Sequence, residues 1–72
     1  MSKKKREHPR WTADRVRVMR NFMGLSQPEF AARVGVSAPT TVSLWETGKR
    51  PPDRRSLRAL DTLAFEEGFD HE

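Results

Sequence analysis

The chain has no cysteine and no tyrosine, only two histidines and no long apolar run. Each absence removes a class of function. Without cysteine there is neither a disulfide framework nor a thiolate metal site, so the core must rest on packing alone. No stretch approaches the roughly 18 apolar residues that span a bilayer, and the first residues lack the apolar segment of a secretory leader. The expectation is a cytoplasmic protein with no membrane partner. His8 and His71 stand far apart, so no metal site is expected. A nucleophile beside its base and a carboxylate pair are missing, and the four glycines occur singly rather than in a phosphate-binding loop. The chain is therefore read as non-enzymatic, with no cofactor.

What is present is charge, unevenly placed. All 14 Lys and Arg fall within residues 1–60 beside five of the ten acids, whereas the last twelve residues carry the other five acids and no Lys or Arg. A basic body with an acidic end suits a polyanion bound on one side, because Lys and Arg release counterions from phosphates. A mixed, merely solvated surface is the alternative reading. The 72 residues allow one domain, which would bury only about 60% of its unfolded surface and gain from a partner subunit.

Residues 1–10, MSKKKREHPR, lack apolar periodicity and include four consecutive bases, Lys3 to Arg6. They are expected to form a disordered arm that either reaches phosphates or a minor groove, or serves as a solubilising tail. The folded domain is expected over 11–68. Thr12 can cap a first helix over about 13–23, with Asp14 in its positive first turn and Trp11 and Val16 at staple spacing. Val16, Met19 and Met23, with Phe22 alongside, form its apolar stripe, and Gly24 stops it. Ser26 and Glu29 make a capping box for a second helix over 27–34, which Gly35 ends. A third helix should begin at Pro39 behind a cap position at Ala38 and run to about Thr47. Val42 and Trp45 would face inward, leaving Thr40, Thr41, Ser43 and Leu44 outward. After the KRPPD linker, Asp53 caps a fourth helix over about 54–67, with Leu57, Leu60, Leu63 and Ala64 on one face. Gly68 ends it, leaving 69–72 as a short acidic end with one aromatic anchor, Phe69. The fold expected is an all-α, compact bundle of four to five helices.

Helices two and three, joined by a tight turn with a basic exit, form a helix-turn-helix able to lay the third helix in the major groove of double-stranded DNA. Gln27, in the first turn of helix two, can clamp a phosphate beside free backbone amides, or be an ordinary exposed polar residue. Thr40, Thr41 and Ser43 can meet base edges or phosphates, and Leu44 a thymine methyl. Lys49 and Arg50 can bind the backbone. Arg54, Arg55 and Arg58 either extend that strip or form a solvated helix face.

The stretch VRVMRNFMGLSQPEFAARVGVSAPTTVSLWETGKRPP resembles the Cro/CI-type (XRE) helix-turn-helix family. That family's usual form is an LR pair, a GLSQxxLA helix, GVS, then a TxSxWExGxRxP recognition helix and exit. The resemblance covers about residues 15–64 and implies a lambda repressor-like domain that binds operators as a homodimer, in mainly bacterial and phage regulators. It implies a transcriptional regulator, a repressor above all, associated with the nucleoid. It assigns recognition positions to Thr40, Thr41, Ser43 and Leu44, the phosphate clamp to Gln27 and a structural ion pair to Arg20 and Glu46; Pro39 is counted with the base contacts, and Ser37, Lys49 and Arg50 with the phosphate contacts. The FA and WE variants are similar to the antitoxin branch represented by the MqsA and HigA proteins. One departure stands out: Trp45 lies eight steps after Ser37, where the family has seven. The extra residue leaves open which of Ser37, Ala38, Pro39 and Thr40 enters the groove.

A protein-interaction module is the second reading, either a toxin-neutralising antitoxin or a small phage factor that binds polymerase. The acidic end with Phe65 and Phe69 supports it, since aromatics flanked by acids can dock a basic partner.

Overall fold

The computed structural model describes residues 11–69, which hold four helices and no strand. The basic arm expected over 1–10 and the acids Asp70 and Glu72 lie outside the described residues. The helices are α1 (Ala13–Met23), α2 (Gln27–Val34), α3 (Pro39–Glu46) and α4 (Arg54–Glu66). No helix among the described residues is long and apolar enough to cross a membrane.

Local chemistry sets these limits. The Thr12 hydroxyl accepts from the Arg15 amide at 3.1 Å, and Gly24 ends α1 at φ 70°. In that left-handed conformation, which costs glycine little, the next amide, of Leu25, turns back to the Arg20 carbonyl at 3.1 Å. Both halves of the capping box before α2 form: Ser26 Oγ accepts from the Glu29 amide at 3.2 Å, and Glu29 Oε1 accepts from the Ser26 amide at 2.8 Å. Helix α3 starts differently. Ala38 is extended, at φ −111° and ψ 122°, as a residue before proline should be, and it supplies no side-chain cap. At α4 the Asp53 carboxylate accepts from the Ser56 amide at 2.9 Å.

The core is helical packing throughout. Val16 and Met19 of α1, Phe30 of α2, Val42 of α3 and Leu60 of α4 are fully buried, with Trp11, Val34, Trp45, Leu63 and Ala64 around them. The most extensive packing is between α2 and α3, with α1 set on α3 and α4 on α2. Phe22, expected beside the α1 stripe, instead stays 56% exposed and meets Phe69 at a ring separation of 5.3 Å. Its position on the helix turns it away from the side occupied by Val16 and Met19. Phe69 also stacks on Trp11 at 6.5 Å, so the packed unit extends one residue past Gly68.

Candidate nucleic-acid interface

Helix α3 owes its position to its last residue. Glu46 is buried, and Arg20 of α1 grips its carboxylate with two bonds, Nε to Oε2 at 2.6 Å and Nη2 to Oε1 at 3.0 Å. The remaining Arg20 nitrogen, Nη1, donates to the Leu25 carbonyl at 3.0 Å. Gln27, the first residue of α2, donates Nε2 to Glu46 Oε1 at 3.2 Å. One carboxylate thereby fixes α1, the α1–α2 turn, the start of α2 and the end of α3 in a single network. Burial pushes the Glu46 carboxyl up, but the hydrogen bonds from Arg20 and Gln27, with the charges of Arg20 and Arg17, outweigh it and hold the group below the usual glutamate value. The Arg20 guanidinium is correspondingly pushed up by its bond to Glu46, against the opposing effect of burial. The ion pair implied by resemblance is thus present.

The rest of α3 is divided by burial. Val42 and Trp45 face the core as expected, and Pro39 and Thr40 stand exposed at the start of the helix. Thr41, Ser43 and Leu44 are half-buried rather than fully outward, because eight residues set against both α1 and α2 leave a narrow free face. The exit is tied to α3 by its backbone: the amides of Lys49 and Arg50 donate to the Leu44 carbonyl at 3.0 and 3.3 Å. Both side chains are exposed. Thr47 Oγ1 donates to the Ser43 carbonyl at 3.0 Å and closes the end of the helix.

An open groove of about 650 Å³ runs between the α2–α3 turn and the exit segment after α3, and it gathers Ser37, Thr41 and Arg50 with Arg55 of α4. Three residues singled out by the sequence therefore share one surface. Lys49 does not line it, and Gln27 lies elsewhere with one amide hydrogen already given to Glu46. The groove combines hydroxyls with two guanidinium groups suited to phosphate oxygens, beside the Asp53 carboxylate, which accepts from the Ser56 amide.

Sequence reasoning missed several contacts. Trp11 Nε1 donates to Asp61 Oδ1 at 2.7 Å, and the Arg15 guanidinium lies 4.5 Å from the Trp11 ring centroid and 5.1 Å from that of Phe69. Arg33 pairs with Glu67 at 2.8 Å. The one usable signal was Trp11 itself, since a buried indole N–H almost always finds an acceptor.

A family model described as a helix-turn-helix domain matches residues 11–64, from the tryptophan before α1 through the buried alanine of α4. No curated protein and no solved structure gives a significant match to the chain. The matched span contains all four capped or proline-led helix starts and the Glu46 network. The chain belongs to the helix-turn-helix domain family, of the Cro/CI (XRE) type, and carries its DNA-binding domain.

Proposed function

We propose that this protein is a sequence-specific regulator of transcription, acting as a repressor that occupies an operator in double-stranded DNA as a homodimer. The observation that carries the reading is the exposed start of α3, Pro39 and Thr40, mounted on a helix whose far end is locked by Arg20, Glu46 and Gln27. A rigid base with a polar tip is what major-groove reading requires. In this reading Pro39, Thr40, Thr41, Ser43 and Leu44 meet base edges, while Ser37, Lys49 and Arg50 hold phosphates. Gln27 adds a phosphate contact through its second amide hydrogen. No bidentate Arg or Gln reaches out from α3, so discrimination per base is modest and two half-sites are needed to add it up. Selection of bound sequences from random duplex DNA tests the proposal. A recovered motif with two-fold symmetry supports it, and recovery of no enriched motif rejects it.

A second reading, docking of a protein partner such as a toxin or polymerase, is favoured by the exposure of Phe65, which is 73% accessible on α4. Retention of such a partner by the intact chain, lost on replacing Phe65 with Ser, would support it.

A further inference from the structure

The outer face of α4 carries its charges against the direction its backbone favours. Arg54 and Arg55 stand in the first turn, while Glu66 is the last helical residue and Glu67 the cap. The helix dipole favours acids at the start and bases at the end, so this order is the unfavourable one for an isolated helix. Arg55, Ala59, Thr62 and Glu66 recur at steps of four, three and four and so form one stripe. Three of them are exposed and Ala59 is half-buried. The stripe borders a groove of about 360 Å³ between α2 and α4, floored by Ala59 and Leu63. No residue of α3 lines that groove.

We infer that this face pairs with the same face of a second copy, α4 against α4 and antiparallel, about a two-fold axis passing between Leu60 and Asp61. The inference rests on the dimeric reading proposed above and names its interface. Such an axis sets Arg55 of each copy opposite Glu66 of the other and Ala59 opposite Thr62. The same patch serves both subunits, as a two-fold contact demands. Small side chains at the centre let the helices approach, and opposite charges meet at both ends. The basic first turn of each helix then faces the acidic last turn of its neighbour, which reverses the dipole mismatch. Phe65 is drawn out of water along the edge that also carries Arg58 of the second copy, a pairing suited to cation–π contact. Glu67 is already joined to Arg33 within the chain, so the pair across the axis that decides the matter is Arg55 with Glu66. The groove between α2 and α4 holds no α3 residue, so the second copy draws from the α3 surface only Arg55, which also lines the groove beside Thr41.

Sedimentation equilibrium of the full chain without DNA, over about 1 to 100 μM, tests the interface. The parent is expected to dimerise within that range. R55E and E66R should each weaken the dimer about tenfold, and the chain carrying both should return to within about threefold of the parent, since the swap rebuilds each pair across the axis. Thr62→Glu, at an exposed central position, should abolish dimerisation and stands in should either reversal unfold. A parent that stays monomeric at about 100 μM, or a double swap no tighter than the single reversals, overturns the interface. Gel shifts of the parent and of Thr62→Glu separate this result from the regulatory reading, because Arg55 also lines the groove beside Thr41 and its variants alter both surfaces. A monomeric parent that still binds duplex rejects only the interface, and a dimer that binds no duplex rejects only the regulator.

Discussion

Trp11 donates its indole hydrogen to Asp61 across 50 positions of sequence, at 2.7 Å, tying the residue before α1 to α4. Trp11 is only 7% exposed, so its N–H would otherwise be stranded. With Phe69 stacked on one side and the Arg15 guanidinium over the ring, this contact joins the start of the first helix and the chain after Gly68 to α4. Asp61→Ala should cost about 1.5–3 kcal/mol, the range for a hydrogen bond to a charged acceptor. Asp61→Asn, which keeps an acceptor oxygen, should cost less. Urea denaturation measures both, and a change below about 0.5 kcal/mol for the alanine variant would show the bond to be dispensable.

The Arg20–Glu46 pair behaves differently when cut than when removed. Arg20→Ala leaves a buried carboxylate with only Gln27 as donor and should cost about 3–5 kcal/mol. Replacing both partners with apolar residues, R20M with E46L, should cost less than that single change, because no uncompensated charge remains. A double-mutant cycle by chemical denaturation gives the coupling directly. Additive losses would mean that the two groups act independently.

Acid should unfold the protein through carboxylates held below their usual values. Glu46 is lowered despite burial, Glu29 chiefly by the Ser26 amide and Asp53 chiefly by the Ser56 amide. A depressed folded value means that stability is fully present above the unfolded value, near pH ~4.3 for glutamate, and is lost as pH falls through the lower folded value. Thermal midpoints should therefore hold steady from neutral pH to about pH 5 and drop steeply below about pH 4. Glu29 and Asp53 are exposed, so the larger share belongs to Glu46, and Glu46→Gln should flatten the acid limb. An unchanged limb in that variant would assign acid unfolding to other groups.

The two basic residues at the α3 exit should act on every duplex alike. Lys49→Gln with Arg50→Gln should lower affinity for all sequences and reduce the salt slope by about 2, one for each lost phosphate contact. Thr40→Ala should instead cost about 1 kcal/mol on a preferred site and little on random duplex. Fluorescence anisotropy against salt concentration separates the two. A slope equal to the parent's would remove Lys49 and Arg50 from the phosphate contacts.

Helix limits were legible because their signals are local. Ser26 with Glu29, Thr12 with Gly24, and Pro39 behind an extended Ala38 each act within four residues, and the helices start and stop where these residues say. The ends of α3 and α4 each fall one residue short, at Glu46 rather than Thr47 and at Glu66 rather than Glu67. The core stripes were legible for the same reason, apart from Phe22. Side-chain pairings across the fold were not. Nothing near Asp61 or Glu67 in sequence distinguishes them from solvated acids, and their partners lie 50 and 34 residues away. Arg20 and Glu46 were linked only through family resemblance. Gln27 was assigned to phosphate because its position in the first turn of α2 is visible locally, whereas its bond to Glu46 depends on how α2 packs on α3.

The bare start of α3 bears on how such a protein changes its preference over generations. Ser37, Ala38, Pro39 and Thr40 are all exposed, and no side-chain cap depends on them. Substitutions at surface positions of this kind, Pro39 with its fixed backbone apart, usually alter stability by no more than about 0.5 kcal/mol. Val42, Trp45 and Glu46, which hold the helix, lie further along and need not vary with them. The segment nearest the proposed target is thus the one the fold constrains least, and it can diverge toward new duplex sequences while the rest of the domain stays as it is.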